Sequence, residues 1–196
     1  SIGAMIMIHG DNKGLVLPPK VAQVQVVIVP IFHKKKKKKI VEKAKEVETR
    51  LRAAGIRVKL DNRSNYNPGW KFNHWEVKGV PIRLEIGSKD VQNNEVRVVK
   101  RCDGKKFQLG LDGMEDKLQE ELLNIQQQMY DKALSERNSR MKNANDWETF
   151  MSELNQRNIV LTPWCDVQSC EENVKERSKE ESKATETEGE DSLTGS

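Results

Sequence analysis

The hydrophobic positions in the first half of the chain alternate between strand-like and helix-like spacing. Residues 24–31 are a nearly continuous β-branched run, which predicts a buried strand. Across residues 40–54 the apolar positions recur every three or four residues, which predicts an amphipathic helix that ends at Gly55. A strand over residues 56–60 follows. This order predicts two parallel strands joined by a helical crossover.

Four further strands and a short helix are predicted before residue 111. Residues 4–8 are apolar and predict a buried strand at the beginning of the chain. Residues 70–78 can form a short helix after a Pro-Gly turn. Residues 82–86 alternate apolar and charged side chains, so Arg83 and Glu85 should face solvent or a ligand. Two strand-like runs, 96–101 and 105–109, flank Asp-Gly and predict a hairpin.

The second half of the chain has a helical pattern and ends in a polar tail. Residues 112–140 predict one long helix with an apolar stripe. A second helix should begin near Asp146, and residues 159–161 predict a short strand. Residues 176–196 contain almost no apolar side chains, so we expect an acidic, disordered tail there.

Charge is distributed unevenly along the 196 residues, although the net charge is only +4. Residues 1–111 carry 24 Lys and Arg against 10 Asp and Glu, and residues 112–196 carry 10 against 20. A basic first half indicates a polyanionic partner. Three cysteines without a disulfide-rich pattern indicate a reducing compartment, and no apolar run has the length of a membrane span.

Aromatic and basic side chains are concentrated between Asp61 and Asp90. Within this range, the segment GWKFNHWEVKGVPIRLEIGSKD resembles the anticodon-binding domain of eukaryote-like prolyl-tRNA synthetases. The opening SIGAMIMIHGDNKGLVLPPKVA is similar to the end of that family's catalytic domain. IVLTPWCDVQSCEE is similar to the beginning of its C-terminal zinc-binding domain. The resemblance runs through most of residues 1–175.

The resemblance implies an α/β fold of the class IIa anticodon-binding type. We expect a five-stranded mixed sheet with about three helices, followed by a small α+β appendage. The implied order is the end of the catalytic domain over 1–20, the anticodon-binding domain over 21–140, a partial C-terminal domain over 141–175 and the acidic tail over 176–196. The family's motif 3 arginine precedes the Ser-Ile-Gly that opens this chain, so we do not expect this chain to form prolyl-adenylate.

A proline anticodon carries two guanines, because proline codons begin with CC. A guanine's Watson–Crick edge offers N–H donors to a carboxylate and an acceptor to Arg or Lys, and unpaired bases stack on aromatic rings. On these grounds the expected tRNA-binding residues are Arg57, Arg63, Tyr66, Lys71, Phe72, Arg83, Glu85, Lys89, Asp90, Arg97 and Arg101.

Alternatives remain open for several of these side chains. An ion pair between Arg83 and Glu85 is as good an interpretation as base recognition. Core packing is favoured for Trp70 and Trp75, since a small helix needs apolar anchors. His74 is expected to pack or to cap its helix. The run Lys34–Lys39 can add RNA affinity without sequence preference.

The resemblance also bounds cofactors, partners and location. The parent enzyme would use ATP and magnesium to join proline to its tRNA, as a cytoplasmic homodimer, and neither DNA nor a membrane is an expected partner. The alternative function is that of a non-catalytic paralogue of the anticodon-binding domain, acting as an RNA- or protein-binding regulatory module.

Cys165 and Cys170 correspond to half of the family's zinc site. A structural zinc ion needs four protein ligands, and no further Cys or His follows Cys170. We therefore predict that the purified chain holds substoichiometric zinc after dialysis. Elemental analysis that found one tightly bound zinc per chain would contradict this prediction.

Overall fold

The computed structural model describes residues 2–32 and 37–191, with side chains through residue 182. The chain divides into two compact units, Ser1–Ala133 and Leu134–Ser196. His33 and Lys34–Lys36 lie outside the described residues. Lys37–Lys39 are exposed at the beginning of a helix.

The first unit is built on a mixed sheet of five strands in the order β2-β1-β3-β4-β5. Strand β1 is parallel to β2 and β3, whereas β3, β4 and β5 form antiparallel pairs. This confirms the predicted five-stranded mixed sheet and the hairpin. The strands are β1 (Val26–Pro30), β2 (Val58–Leu60), β3 (Ile82–Ile86), β4 (Glu95–Lys100) and β5 (Lys106–Gly110).

Two long helices cover one face of this sheet. Helix α2 (Lys37–Ala53) and helix α5 (Met114–Arg140) bury their predicted apolar stripes against the strands. Burying each large aliphatic side chain contributes about 1.5–3 kcal/mol. Side chains on this face include Ile28, Leu84 and Val98, all without solvent exposure.

Helix α3 (Pro68–Val77) packs on the other face of the sheet, beside β1. Asn67 caps it by accepting a hydrogen bond from the backbone N–H of Trp70 at 2.8 Å. Trp75 and Val80 pack against Val27 and Val29. Among the strands, this cluster includes side chains of β1 only. A further short helix, α4 (Ser88–Asn93), follows β3.

The prediction of a strand near the amino terminus is wrong. Residues Ile2–His9 form a helix, α1, without a buried residue, and Met7 is 82% exposed. No strand among the described residues pairs with this segment. A helix satisfies its own backbone hydrogen bonds, whereas a strand needs a neighbour to do so.

The segment after α1 is fastened to the end of α3. The backbone N–H groups of Leu15 and Leu17 donate to the carbonyls of Val77 and Gly79 at 3.0 and 3.1 Å. Arg101, beyond the end of β4, donates to both carboxylate oxygens of Asp11 and to the carbonyl of Glu76. The chain therefore enters the sheet domain along a fixed path.

In the second unit the elements are β6 (Met141–Asn143), α6 (Trp147–Asn155), β7 (Ile159–Leu161) and α7 (Gln168–Asp191). Strands β6 and β7 pair in parallel, and β6 was not predicted. The prediction of a disordered tail is also wrong as far as residue 191, because α7 continues to that residue. Ion pairs one helical turn apart, such as Arg177–Glu181 at 3.0 Å, support helix where burial does not.

A membrane span is not found among the helices of the described residues, since none is both long and apolar enough.

Gly79 and Gly104 provide a matched test of the close approach between the entering chain and α3. Both have left-handed φ angles, +71° and +69°. A Cβ at Gly79 would lie 2.6 Å from the Leu15 backbone, whereas a Cβ at Gly104 would meet no atom within 4 Å. We predict that Gly79→Ala lowers the free energy of unfolding by about 1–3 kcal/mol more than Gly104→Ala. Equal urea denaturation curves for the two variants would contradict this packing.

Candidate nucleic-acid interface

The strand register brings polar side chains together on the sheet face that α3 covers only in part. Glu85 of β3 lies opposite Arg97 of β4, and Arg97 lies opposite Gln108 of β5. One pleat away on the same face are Arg83 and Lys106, on either side of Val99. We call Arg83, Glu85, Arg97, Lys106 and Gln108 the polar sheet patch.

An ion pair forms the centre of the polar sheet patch. Arg83 donates from Nε and Nη2 to Oε1 of Glu85, at 3.1 and 2.9 Å. Both side chains lie on the sheet face opposite α2 and α5, as predicted, but Glu85 is only 7% exposed and does not face open solvent. The pairing alternative is therefore confirmed in a more buried form than a surface ion pair, because the Phe72 ring lies 4.3 Å from the Arg83 guanidinium and covers it.

The Glu85 carboxylate keeps one oxygen for another donor. Oε2 accepts no hydrogen bond from the described residues, and it is not among their buried unpaired atoms. A planar base edge presenting two N–H donors fits a carboxylate oriented in this way. Arg97 and Gln108 are exposed beside it and supply a cation and an amide.

A buried carboxylate, Asp61, holds α3 in place. Its side chain accepts hydrogen bonds from Trp75 Nε1 at 2.8 Å and from Arg63 at 2.6 and 2.9 Å. Burial would raise the pKa of Asp61, but the hydrogen bonds from Arg63 and Trp75 and the charge of Lys71 outweigh it and lower the pKa to about 2. Asp61 is thus ionised at neutral pH although its side chain is only 1% exposed.

Exposed aromatic rings lie on the opposite flank of α3 from Phe72. Trp75 is buried, as predicted, but core packing is wrong for Trp70, which is 39% exposed. Trp70 stacks between Tyr66 and His74, with ring centroids at 3.8 and 4.8 Å. This agrees with the expectation that His74 packs. Trp70 and Phe72 lie on opposite flanks of α3 because positions 70 and 72 of a helix point about 200° apart.

Four further expected contact residues make hydrogen bonds within the protein. Lys71 is 2% exposed, and its ammonium donates to the Asp61 carbonyl. Arg57 donates to the carbonyls of residues 19, 20 and 22, and Arg101 is bound to Asp11. Asp90 accepts from the backbone N–H of Gly87 at the beginning of α4. These groups therefore support the fold of the first unit.

Lys89 and Arg97 remain exposed, as expected of residues that contact a ligand. Sequence analysis missed Lys106 and Gln108, which complete the polar sheet patch. Alternation along Lys106, Phe107, Gln108 and Leu109 was the available signal, because Leu109 is buried and its neighbours must face the other way.

The two cysteines of the second unit are exposed thiols close to each other. A hydrogen bond from Cys170 lowers the pKa of Cys165 and raises that of Cys170. Among the described residues, no cluster of three or more His, Cys, Asp and Glu could hold a metal ion. The zinc expectation accordingly remains a prediction.

Comparisons with known proteins agree with this architecture. Residues 25–121 match the family model for the anticodon binding domain, and residues 147–194 match that for the C-terminal region of prolyl-tRNA synthetase. The chain belongs to the prolyl-tRNA synthetase family. It contains that family's anticodon-binding and C-terminal domains, and an anticodon-binding domain implies tRNA binding.

Individual relatives show how much of the enzyme this sequence spans. Cytoplasmic proline–tRNA ligase of Arabidopsis thaliana is 44% identical over 95% of this chain and 36% of that enzyme. Bifunctional glutamate/proline–tRNA ligase of Drosophila melanogaster is 41% identical over 89% of this chain and 10% of its own length. The crystal structure of Cryptosporidium parvum prolyl-tRNA synthetase with L-proline and AMP is 46% identical, with a TM-score of 0.87 over 91% of this chain and 38% of that one. The chain therefore spans little more than a third of these relatives at most.

Asp61 makes the stability of the first unit depend on pH in the acid range. Its pKa is lowered in the folded state from 3.8 to about 2, so its stabilisation is complete above pH 4 and is lost as the pH falls toward 2. We predict that Asp61→Asn lowers the free energy of unfolding at pH 7 by about 3–5 kcal/mol, because it leaves Lys71 buried without its counter-charge.

The same variant should differ less from the unmodified chain as the pH approaches 2. Urea denaturation at several pH values measures both effects. Asp103→Asn is a suitable control, since that carboxylate is more exposed and pairs with lysines at 3.5 and 3.7 Å. A loss for Asp61→Asn no larger than for Asp103→Asn would contradict the central role of Asp61.

Proposed function

We propose that residues 22–111 recognise the anticodon of proline tRNA through the polar sheet patch. The free Oε2 atom of Glu85, held in place by Arg83, carries the proposal. Together with Oε1, it would accept from N1–H and N2–H of one anticodon guanine. Arg97, directly opposite on β4, is in position to donate to O6 of the same or the neighbouring guanine.

The surroundings of the polar sheet patch support RNA as the ligand. Phe72 borders it and offers a ring for stacking, while Lys89 and Lys106 are exposed lysines for phosphate contacts. The exposed Lys37–Lys39 at the beginning of α2 add positive charge without base preference. Base recognition and phosphate attraction would thus come from different residues.

The activity of the whole enzyme is a further part of the proposal. By its family, the parent protein would be a cytoplasmic proline–tRNA ligase that uses ATP and magnesium and acts as a homodimer. The present chain would contribute tRNA recognition to that reaction.

Glu85→Gln tests the recognition step. Glutamine offers one acceptor and adds an N–H donor that faces the guanine donors, and an unpaired buried donor costs about 1–3 kcal/mol. We predict a loss of about five- to 150-fold in affinity for proline tRNA. Affinity for a tRNA with altered second and third anticodon bases should hardly change, because it lacks the guanines that Glu85 would recognise.

Glu42→Gln is the matched control, because Glu42 is an exposed residue of α2 on the far side of the sheet. Filter binding at one fixed salt concentration gives the affinities, and thermal unfolding monitors the fold. Equal binding of the two tRNAs by the unmodified chain would exclude anticodon recognition by this surface. Parallel losses for both tRNAs in Glu85→Gln would exclude Glu85 as the discriminating group.

A further inference from the structure

The aromatic stack on the β2 side of α3 has a direction, from the core to the surface. Trp75 is 6% exposed and meets His74 edge-on, with ring centroids 5.1 Å apart. His74 stacks on Trp70, and Trp70 stacks on Tyr66 with an interplanar angle of 12°. Tyr66 is therefore the outermost ring of the stack, and it is 37% exposed.

Arg63 lies beside this stack and leaves its outer end uncovered. The Arg63 guanidinium is 5.0 Å from the Tyr66 centroid and 5.1 Å from the Trp70 centroid, while the two centroids are 3.8 Å apart. A point nearly equidistant from two parallel rings lies at their edges and not above the end of the stack. Among the described residues, no other ring or cation lies over Tyr66.

Hydrogen bonds within the protein position the stack. Arg63 is fixed by two hydrogen bonds to Asp61, which also holds Trp75. Burial lowers the pKa of His74, and the charges of Lys78 and Arg63 lower it further, so its ring is neutral at pH 7. A planar ligand that binds Tyr66 therefore contacts rings that are already ordered in the folded protein, so binding does not have to order them.

The charges around the aromatic stack favour a ligand that is an anionic chain carrying flat rings. Lys59 and Lys78 are exposed, and their ammonium groups lie 5.6 and 5.2 Å from the Trp75 ring at the inner end of the stack. Asp61, whose carboxylate is bonded to Trp75 of the stack, is buried and paired. Single-stranded RNA combines bases that stack on aromatic rings with phosphates that such cations attract.

We propose that the outer face of Tyr66 binds one unpaired nucleobase of the RNA, outside the two guanines assigned to the polar sheet patch. The inference rests on the proposed function for the identity of the RNA. It adds a second contact, on the other flank of α3, that depends on stacking and not on hydrogen bonds to base edges. The bound loop would then span α3, with the guanines on one flank and the stacked base on the other.

Variants of Tyr66 separate stacking from other effects. Tyr66→Leu removes the planar ring and should weaken binding of a proline anticodon stem-loop RNA about five- to 150-fold. Tyr66→Phe keeps the ring and should bind like the unmodified chain. Tyr130→Leu makes the same change at the other tyrosine, on α5, and should leave affinity unchanged.

Abasic RNAs identify the stacked base. One abasic nucleotide at a time is placed in the loop outside the two guanines, and affinities are measured by fluorescence anisotropy. One position should reproduce the loss caused by Tyr66→Leu, and combining the two changes should cost no more than either alone. Undiminished binding by Tyr66→Leu, or losses that add at every loop position, would overturn the proposal.

The same measurements distinguish this site from anticodon recognition. The Tyr66→Leu loss should be equal for loops with and without the two guanines, whereas the Glu85→Gln loss should require them. If the unmodified chain bound loops with and without the guanines equally, but Tyr66→Leu still bound more weakly, only the assignment of Glu85 would fail. If guanine discrimination persisted and Tyr66→Leu bound normally, only the stacking site would fail.

Discussion

The arrangement of both candidate contact surfaces depends on the buried carboxylate of Asp61. It follows β2, its backbone N–H donates to the carbonyl of Ile28 in β1, and its side chain is bonded to Trp75 and Arg63. One ionised group thereby connects the sheet, α3 and the loop before α3. A charge at this depth is tolerated only because several donors compensate its desolvation. Any shift of Asp61 would move α3 and, with it, the rings on both of its flanks.

With α3 fixed, the sheet face next to it acquires two different chemical characters. Over β1 the face is apolar and covered, as Val27, Val29 and Trp75 show. Over β3, β4 and β5 the same face carries the polar sheet patch, with its partly buried Arg83–Glu85 pair. Pairing with Arg83 orients the Glu85 carboxylate without using its second oxygen. The protein thus meets a ligand with groups that are already positioned, which lowers the ordering cost of binding.

Several basic residues that were expected as RNA contacts also support the fold. Arg57 holds the loop at residues 19–22, Arg101 fastens the entering chain to α3, and Lys71 balances Asp61. Positive charge in this sequence therefore has two uses. The cations bonded within the protein shape the surface, while Lys89, Arg97 and Lys106 remain exposed at its edge.

Periodicity and the Asp-Gly turn determined the five strands of the first unit, the α2 and α5 stripes, the hairpin and the face to which Ile82, Leu84 and Ile86 belong, because these follow from local spacing and burial. The resemblance carried by residues 69–90 supplied the family. Tertiary structure alone decided that Lys71 is buried, that Trp70 is exposed while Trp75 is not, and that Lys106 and Gln108 join Glu85. Each of these depends on strand register or on the rotation of α3, which are set by contacts between residues far apart in sequence. The helix at residues 2–9 and the extension of α7 show the same limit, since an apolar or charged run does not by itself specify its hydrogen-bonding partners.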